Sequence, residues 1–342
     1  MKLVHIDYKT VTGDVFTPED SPRPSDRNPS QRFNSFFDYP AEEPHAIVPS
    51  GIPCSFKRWS PLILRTRGLS SSVVQTVTLS YLQQHLLLGH ARSLPSSHLT
   101  GNNIDKDVMT SFAHLRFPPE GIFMRVLAYP PKDEAHAFPL FTAKGVIDHL
   151  ISLEWTHRTL SNSLEPHKER LDVYDPSGLS LESFELVRNG REDIELIFVP
   201  FDHRASLSRR YRVFCPPARF ASQSYISAIS QYDWRRPWFL ASNNGLDMAR
   251  AAEKITRECD KLREMIVGEL NLNNWMDKGM LSQGFTFDVL FDEERDVFQL
   301  IELDTFGTRS ACGSCLFHWE DDAYVLHFPG SGTENTEFRV TY

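Results

Sequence analysis

The stretch from Gln283 to Trp319, QGFTFDVLFDEERDVFQLIELDTFGTRSACGSCLFHW, is the feature that most limits how this chain can fold. Two apolar runs, FTFDVLF and VFQLIELDTF, flank the polar segment DEERD. Alternating side chains rich in β-branched and aromatic residues predict that each run is a strand, and the polar segment predicts a turn. The sequence therefore predicts a β-hairpin here.

Three carboxylates fall inside the predicted hairpin. Asp288 lies in the first run, and Glu302 and Asp304 lie near the end of the second. Residues two apart in a strand point to the same face. A carboxylate inside an apolar strand is costly unless it is paired or holds a cation. Converging carboxylates of this kind predict a site for a hard ion such as Mg²⁺, which also carries substrate phosphates. The alternative is a hairpin whose acids face solvent.

The charge balance limits the classes of partner. The 342 residues include 45 acidic and 36 basic side chains, which give a net charge of −9. This balance argues against nucleic acid as a partner, because phosphate backbones need a basic surface. A local basic pocket for a nucleotide is still compatible with it. We find no apolar run long enough for a membrane span and no secretory signal, and we therefore expect a cytoplasmic protein without membrane partners.

The chain divides into three predicted regions. Residues 1–48 contain the segment SPRPSDRNPSQRFN, and this composition predicts a disordered arm. Residues 49–190 are predicted to form an N-terminal lobe, and residues 191–342 a C-terminal lobe that contains the hairpin. Strands and helices follow one another without regular βαβ alternation, which predicts an α+β fold with mostly antiparallel sheets. The segment AYVLHF near the end predicts one more strand.

Charged residues also interrupt other predicted strands. Arg125 lies in GIFMRVLA, Glu195 in DIELIFVPF and Arg212 in RRYRVFCP. A lone arginine in an apolar strand needs an anionic partner, which is either a protein carboxylate or a ligand phosphate. Between these strands and the hairpin, apolar residues at helical spacing predict a long helix from Leu246 to Leu270.

The order of these segments resembles that of the cell division cycle protein 123 family, a eukaryotic branch of the ATP-grasp superfamily. The segments RYRVF, ISQYDW, GFTFDVLF, LIELDTFG and CLFHWED follow one another as EFRCF, ISQRDY, DFVFDIY, LIDFNPFG and LLFTWEE do in that family. The resemblance covers roughly residues 54–322. It implies an ATP-grasp-like fold of two lobes with a nucleotide in the cleft, and ATP and Mg²⁺ as cofactors.

The resemblance also assigns roles to single positions. Arg212, the candidate catalytic residue, matches an arginine that faces the phosphates, and Arg125 matches a phosphate-binding lysine. Glu195 opens the strand that leads to the adenine pocket. The implied nucleotide and metal ligands on the hairpin are Asp288, Glu302 and Asp304.

The chain departs from the family pattern at three of these positions. Arg125 replaces a lysine, Glu302 replaces an aspartate, and Asp304 replaces an asparagine. The asparagine-to-aspartate change adds a negative charge, which favours a divalent cation but weakens the binding of bare phosphate. The segment between Gly307 and Trp319 is also two residues longer than in the family.

The resemblance implies a function, and two alternatives stay open. Family members act as assembly factors, or chaperones, for eukaryotic translation initiation factor 2, and the implied partner is its γ subunit. The first alternative is an enzyme: an ATP-dependent ligase that joins a carboxylate and an amine through an acyl phosphate, with release of ADP and phosphate, in a small-molecule (secondary metabolite) pathway. The second is a degenerate member that binds nucleotide weakly and serves as a scaffold.

The cysteines suggest no disulfide framework, because there are five in a large chain. Cys312 and Cys315 form one C-x-x-C motif. A tetrahedral zinc site would need further ligands, and a thioredoxin-type motif should open a helix after a strand. We therefore favour chance spacing, with a redox or metal role as the alternative.

Overall fold

A computed structural model describes the structure of most residues of the chain. These are residues 1–13, 32–35, 51–93, 106–126, 138–152, 193–205, 207–218, 220–221, 224–308, 310, 312–327 and 336–342. The strands are β1 Lys2–Ile6, β2 Gln75–Leu79, β3 Ile122–Val126, β4 Ile194–Pro200, β5 Arg210–Cys215, β6 Ala228–Gln231, β7 Phe285–Asp292, β8 Val297–Thr305 and β9 Glu337–Thr341. The helices are α1 Tyr8–Gly13, α2 Phe56–Thr66, α3 Tyr81–Ser93, α4 Lys106–Ser111, α5 Ala143–Ser152, α6 Gly245–Gly268, α7 Trp275–Gln283 and α8 Ala323–His327. The fold is α+β, as predicted.

The chain separates into two units with different boundaries from the predicted lobes. The first unit combines Met1–Ser71 with Arg204–Tyr342, and the second is Ser72–His203. Residues 56–66 belong to the first unit because helix α2 packs against strand β8. Strand β4 belongs to the second unit because it pairs with β2 and β3.

The first unit is built on a six-stranded sheet with the order β1-β9-β6-β5-β7-β8. Strand β9 runs parallel to both β1 and β6, and the other pairs are antiparallel. Helix α6 covers one face, and its buried side chains recur at helical spacing from Ala252 to Ile266. Asn244 caps this helix by accepting a hydrogen bond from the backbone of Asp247. The predicted long helix is therefore confirmed, with its end two residues earlier.

Two parts of the predicted disordered arm are ordered. Strand β1 pairs in register with β9, from Lys2 opposite Glu337 to Ile6 opposite Thr341. Phe33 is buried with only 2% of its surface exposed. Backbone pairing and burial supply the stabilisation that the local composition does not reveal. Residues 14–31 and 36–48 lie outside the described part of the chain.

The hairpin is confirmed as β7 and β8, with one irregularity. Asp288 lies opposite Glu302, but Val289 lies opposite Leu300, so Ile301 is an extra residue in β8. This β-bulge sits beside the carboxylates, a position at which bulges commonly re-aim side chains.

The segment AYVLHF forms helix α8 over Ala323–His327, and the predicted strand is wrong. Leu326 is its one buried side chain and packs in a cluster with Phe306 and Trp319. The backbone of Leu326 donates to the carbonyl of Asp322 at 2.9 Å, which closes a helical turn. A short apolar run does not distinguish a strand from a buried turn of helix.

The second unit contains an antiparallel sheet with the order β2-β4-β3. Its core lies on one face, where alternate strand residues such as Val77, Met124 and Leu196 pack with residues of the helices, among them Phe112 and Val146. None of the helices in the described ranges is long and apolar enough to cross a membrane.

Candidate functional site

The face of the six-stranded sheet that lies away from α6 carries a row of polar residues. The sequence sets this up by alternation: Tyr211 and Val213 enter the core with α6, and Arg212 between them points to the opposite face. Residues that pair with one another form a line across all six strands. In the spatial order of the strands they are Val4, Arg339, Ser230, Arg212, Asp288 and Glu302.

Arg212 and Asp288 form a bidentate ion pair at the centre of this row. Nε of Arg212 donates to Oδ1 of Asp288 at 2.8 Å, and Nη2 donates to Oδ2 at 2.8 Å. The exposed fractions are 5% for Arg212 and 1% for Asp288. The ring of Tyr232 lies 5.0 Å from the guanidinium carbon and adds a cation–π contact. The anion that Arg212 meets in this structure is therefore a protein carboxylate.

Glu302 adds a second buried carboxyl to the pair. Its Oε1 lies 4.0 Å from Nη2 of Arg212, and 6% of the residue is exposed. Burial raises the pKa of the Asp288 carboxyl above its ordinary value, Arg212 opposes this rise, and the neighbouring Glu302 adds to it. Two buried carboxyls therefore lie beside one guanidinium.

Asp304 lies two residues after Glu302 in β8, so its side chain is on the same face of the sheet. It is opposite Thr286 in the hairpin and half-buried. Burial raises the pKa of the Cys54 and Cys312 thiols, and the nearby negative charge of Asp304 raises both pKa values further. The structure therefore brings the three predicted carboxylates onto one face, with Arg212 beside them.

The donor set fits a hard cation in chemistry, although the side chains are not arranged as a coordination shell. In the described ranges, no group of three or more His, Cys, Asp or Glu is placed to hold a metal ion. An ionised carboxylate has about four acceptor positions, so the two bonds from Arg212 leave Asp288 further capacity. Carboxylate oxygens are the ligand type that Mg²⁺ prefers in proteins.

Arg125 and Glu195 lie in the second unit. Arg125 is on β3 opposite Ile197 of β4, and Glu195 precedes Ile197 by two positions on β4. Both side chains therefore share the face of the three-stranded sheet that lies away from that unit's core. Arg125 is buried and Glu195 is half-buried.

A loop that the sequence does not single out completes the Arg212 end of the row. Nη1 of Arg212 donates to the carbonyl of Gly313 at 2.6 Å, and Nη1 of Arg339 donates to the carbonyl of Leu316 at 3.1 Å. Between them, the backbone of Leu316 donates to Oγ of Ser230 at 3.0 Å. The Gly313–Leu316 segment is thus held on the sheet at three points. These contacts join distant parts of the chain, and no local pattern signals them.

Gln299 is a further polar residue that sequence reasoning missed. It lies opposite Leu290, which is two residues from Asp288 along β7, and so it is on the same face as Asp288. Only 2% of its surface is exposed, and within the described part of the chain its Oε1 has no hydrogen-bond partner. A buried acceptor without a donor is costly, and natural proteins tolerate it mainly where a water or ligand supplies the donor.

The two cysteines of the C-x-x-C motif are buried free thiols. Burial raises the pKa of Cys312 to about 11 and that of Cys315 to about 12. Sγ of Cys312 lies 3.0 Å from Oγ of Ser310. Without a metal ion, both thiols are therefore protonated at neutral pH.

A cavity of about 460 Å³ lies at the other end of the row, lined in part by Val4, Phe33 and Arg339. Arg339 is engaged there with protein carboxylates: Nη1 and Nη2 donate to Asp322, and Nε donates to Glu337. We place the candidate site at the Arg212 end, because the three predicted metal-binding carboxylates share that part of the face.

These features define a class: an α+β protein of two units, with a mixed six-stranded sheet whose one face carries a buried Arg–carboxylate row. No protein-family model matches the sequence, and no curated protein matches it significantly. Among solved structures, the chain is similar to Cdc123 from Schizosaccharomyces pombe, with 15% identity over 85% of this chain and 96% of that chain, at a TM-score of 0.49. The C-terminally truncated Cdc123 from the same organism matches with the same identity and coverage at a TM-score of 0.50. The chain therefore has a divergent Cdc123-like fold, which confirms the resemblance seen in the sequence at the level of the fold.

Proposed function

We propose that the protein binds Mg²⁺-ATP as ATP-grasp proteins do and acts as an assembly factor for eukaryotic translation initiation factor 2, with the γ subunit as its partner. The observation that carries the proposal is the buried row of Arg212, Asp288 and Glu302 in a Cdc123-like fold. The positions of this row are those to which the sequence resemblance assigns phosphate and metal contacts.

The hairpin carboxylates have the chemistry for the metal. Asp288, Glu302 and Asp304 would hold Mg²⁺, which when bound bridges phosphate oxygens and neutralises their charge. Arg212 fixes the plane of the Asp288 carboxylate through its two parallel hydrogen bonds. Arg212 also donates to the carbonyl of Gly313, and its charge is the feature that would attract phosphate oxygens.

The sequence resemblance also assigns nucleotide contacts to two residues of the second unit. Arg125 has the charge for phosphate oxygens, and its planar fork can bind two of them at once. Glu195, on the adjacent strand and the same face, is proposed for the adenine side. The assembly function requires that ATP is bound, whether or not it is hydrolysed.

The experiment that best tests the metal site changes Asp304, because Asp288 is too deeply paired to be removed without effects on folding. Asp304→Asn keeps the side-chain shape and removes one charge. By calorimetry, we expect the affinity for Mg²⁺-ATP to fall and the affinity for metal-free ATP to rise, because the added charge attracts the cation and repels phosphate.

Asp296→Asn is the matched control, since it makes the same chemical change in the exposed turn of the same hairpin. We expect it to leave both affinities unchanged. Wild-type protein that does not bind Mg²⁺-ATP, or equal behaviour of the two variants, would contradict the site.

The partner is tested separately. Purified protein should retain the γ subunit of the initiation factor from a eukaryotic lysate, and failure to do so would contradict the assembly role while leaving nucleotide binding intact. ADP release that depends on an added carboxylic acid and an amine would instead establish the ligase alternative.

A further inference from the structure

Residues 32–35, far from the site in sequence, lie against its loop. The backbone N–H of Asn34 donates to the carbonyl of Cys315 at 2.6 Å. In return, the backbone N–H of Cys315 donates to Oδ1 of Asn34 at 3.2 Å, over a separation of 281 residues. Asn34 has a positive φ of 51° and Cys315 one of 53°, so both adopt the left-handed conformation in this paired contact.

Ser35 strengthens the same attachment. Its Oγ lies 2.9 Å from Oγ of Ser314 and accepts a hydrogen bond from the backbone of Trp319 at 2.9 Å. The backbone of Ser314 donates to the carbonyl of Ser35 at 3.2 Å. Ser35 and Ser314 are both buried, so these bonds are shielded from water.

Gly313 shows how closely Asn34 approaches the loop. A Cβ atom at this position would overlap the carboxamide of Asn34, so the contact requires glycine. The carbonyl of Gly313 is also the acceptor for Nη1 of Arg212 at 2.6 Å. A continuous set of contacts therefore runs from Asn34 through the loop to Arg212 and on to Asp288.

We propose that Asn34 is a positioning residue for the nucleotide site, an inference that rests on the proposed function. A guanidinium is planar, so an acceptor that fixes Nη1 also fixes the rotation of Nε and Nη2 toward Asp288. Asn34 holds the Gly313 carbonyl in the place where it does this. The segment 32–35 is thereby part of the site, although Arg212 and the hairpin carboxylates all lie beyond residue 200 in the sequence.

A purely structural role makes a different prediction. If Asn34 only ties the N-terminal segment to the unit, its loss lowers the melting temperature and leaves nucleotide affinity unchanged. If it positions Arg212, its loss weakens Mg²⁺-ATP binding at temperatures at which the variant is fully folded.

The test compares Asn34→Gly with Asn34→Asp. Glycine tolerates the positive φ and removes the carboxamide, whereas aspartate keeps an acceptor for the Cys315 N–H. By calorimetry well below the melting temperature, we expect Asn34→Gly to weaken Mg²⁺-ATP binding by about tenfold or more, as changes next to metal ligands usually do. We expect the affinity of Asn34→Asp for Mg²⁺-ATP to stay within about threefold of wild type, a loss well below that caused by removing such an outer contact.

Thr336→Ala is the control, because it removes another buried side-chain hydrogen bond of the same unit, to the carbonyl of Ile226 at 3.0 Å. It should lower the melting temperature and leave the affinity unchanged. Gly313→Ala provides an independent variant, since it displaces Asn34 without altering it, and it should weaken binding as Asn34→Gly does.

The outcomes separate this inference from the proposed function. Wild-type protein that does not bind Mg²⁺-ATP overturns both. Wild-type binding with unchanged affinity in Asn34→Gly and Gly313→Ala overturns the positioning role alone.

Discussion

The ion pair between Arg212 and Asp288 allows the most direct test of the structure, through the substitution Asp288→Asn. The asparagine side chain has the same shape, but its amide group places a donor against Nη2 of Arg212, where a carboxylate oxygen now accepts at 2.8 Å. Breaking one side of a buried pair costs about 3–5 kcal/mol, because the remaining charge stays buried. Glu302 lies 4.0 Å from Nη2 and compensates part of this charge, so we expect a loss near the lower limit, about 3 kcal/mol.

Removing both charges should cost much less. The double variant Arg212→Met, Asp288→Leu removes both charges of the pair, and such replacements are often neutral. Glu302 loses only a contact of 4.0 Å, which is weaker than the bonds of 2.8 Å in the pair. The hydrogen bond to the Gly313 carbonyl is still lost, which costs about 1 kcal/mol. Urea denaturation followed by the fluorescence of buried tryptophans in the same unit, Trp238 and Trp319, gives the free energies of unfolding. A double variant less stable than Asp288→Asn would refute this reasoning, and so would an Asp288→Asn variant as stable as wild type.

Two further predictions concern buried polar atoms. Gln299→Leu should raise the free energy of unfolding of the ligand-free protein by about 1 kcal/mol, because it removes an acceptor without a partner; a lower melting temperature would show that Oε1 is satisfied in solution. Burial lowers the pKa of His149, whose ring packs edge-on against Phe138 at 4.7 Å. Since the unfolded chain then binds more protons, stability should fall as the pH drops through the ordinary histidine pKa, and His149→Gln should flatten this dependence in thermal melts between about pH 8 and pH 5.

The sequence predicts those parts of the fold that local periodicity determines. The hairpin and α6 follow from periods of 2 and 3.6 residues, and alternation places Glu302 and Asp304 on one face. That Asp288 shares this face depends on the register of the hairpin and its bulge. The partner of Arg212 could not be predicted, because it depends on β5 pairing with β7 in one particular register over more than 70 residues. In place of a ligand phosphate, the structure gives this arginine a carboxylate of the predicted metal site.

The errors have a common cause in contacts between distant residues. Residues 32–35 follow a proline-rich segment and β1 is one short run, and their partners, the Gly313–Leu316 loop and β9, lie about 280 or more residues away. The division of the units depends in the same way on the pairing of β4 with β2 and β3. No window of neighbouring residues contains this information.

The parallel pairing of β1 with β9 also affects the order in which the sheet can form during synthesis. Strand β9 lies between β1 and β6, and the side chains of Lys2 and Glu337 meet across 335 positions of sequence. Strand β1 therefore has no neighbour in this sheet until β9 has been made. At elongation rates of about 5–20 residues per second, β1 stays exposed for at least about 15 seconds, an interval in which chaperones can bind its open edge.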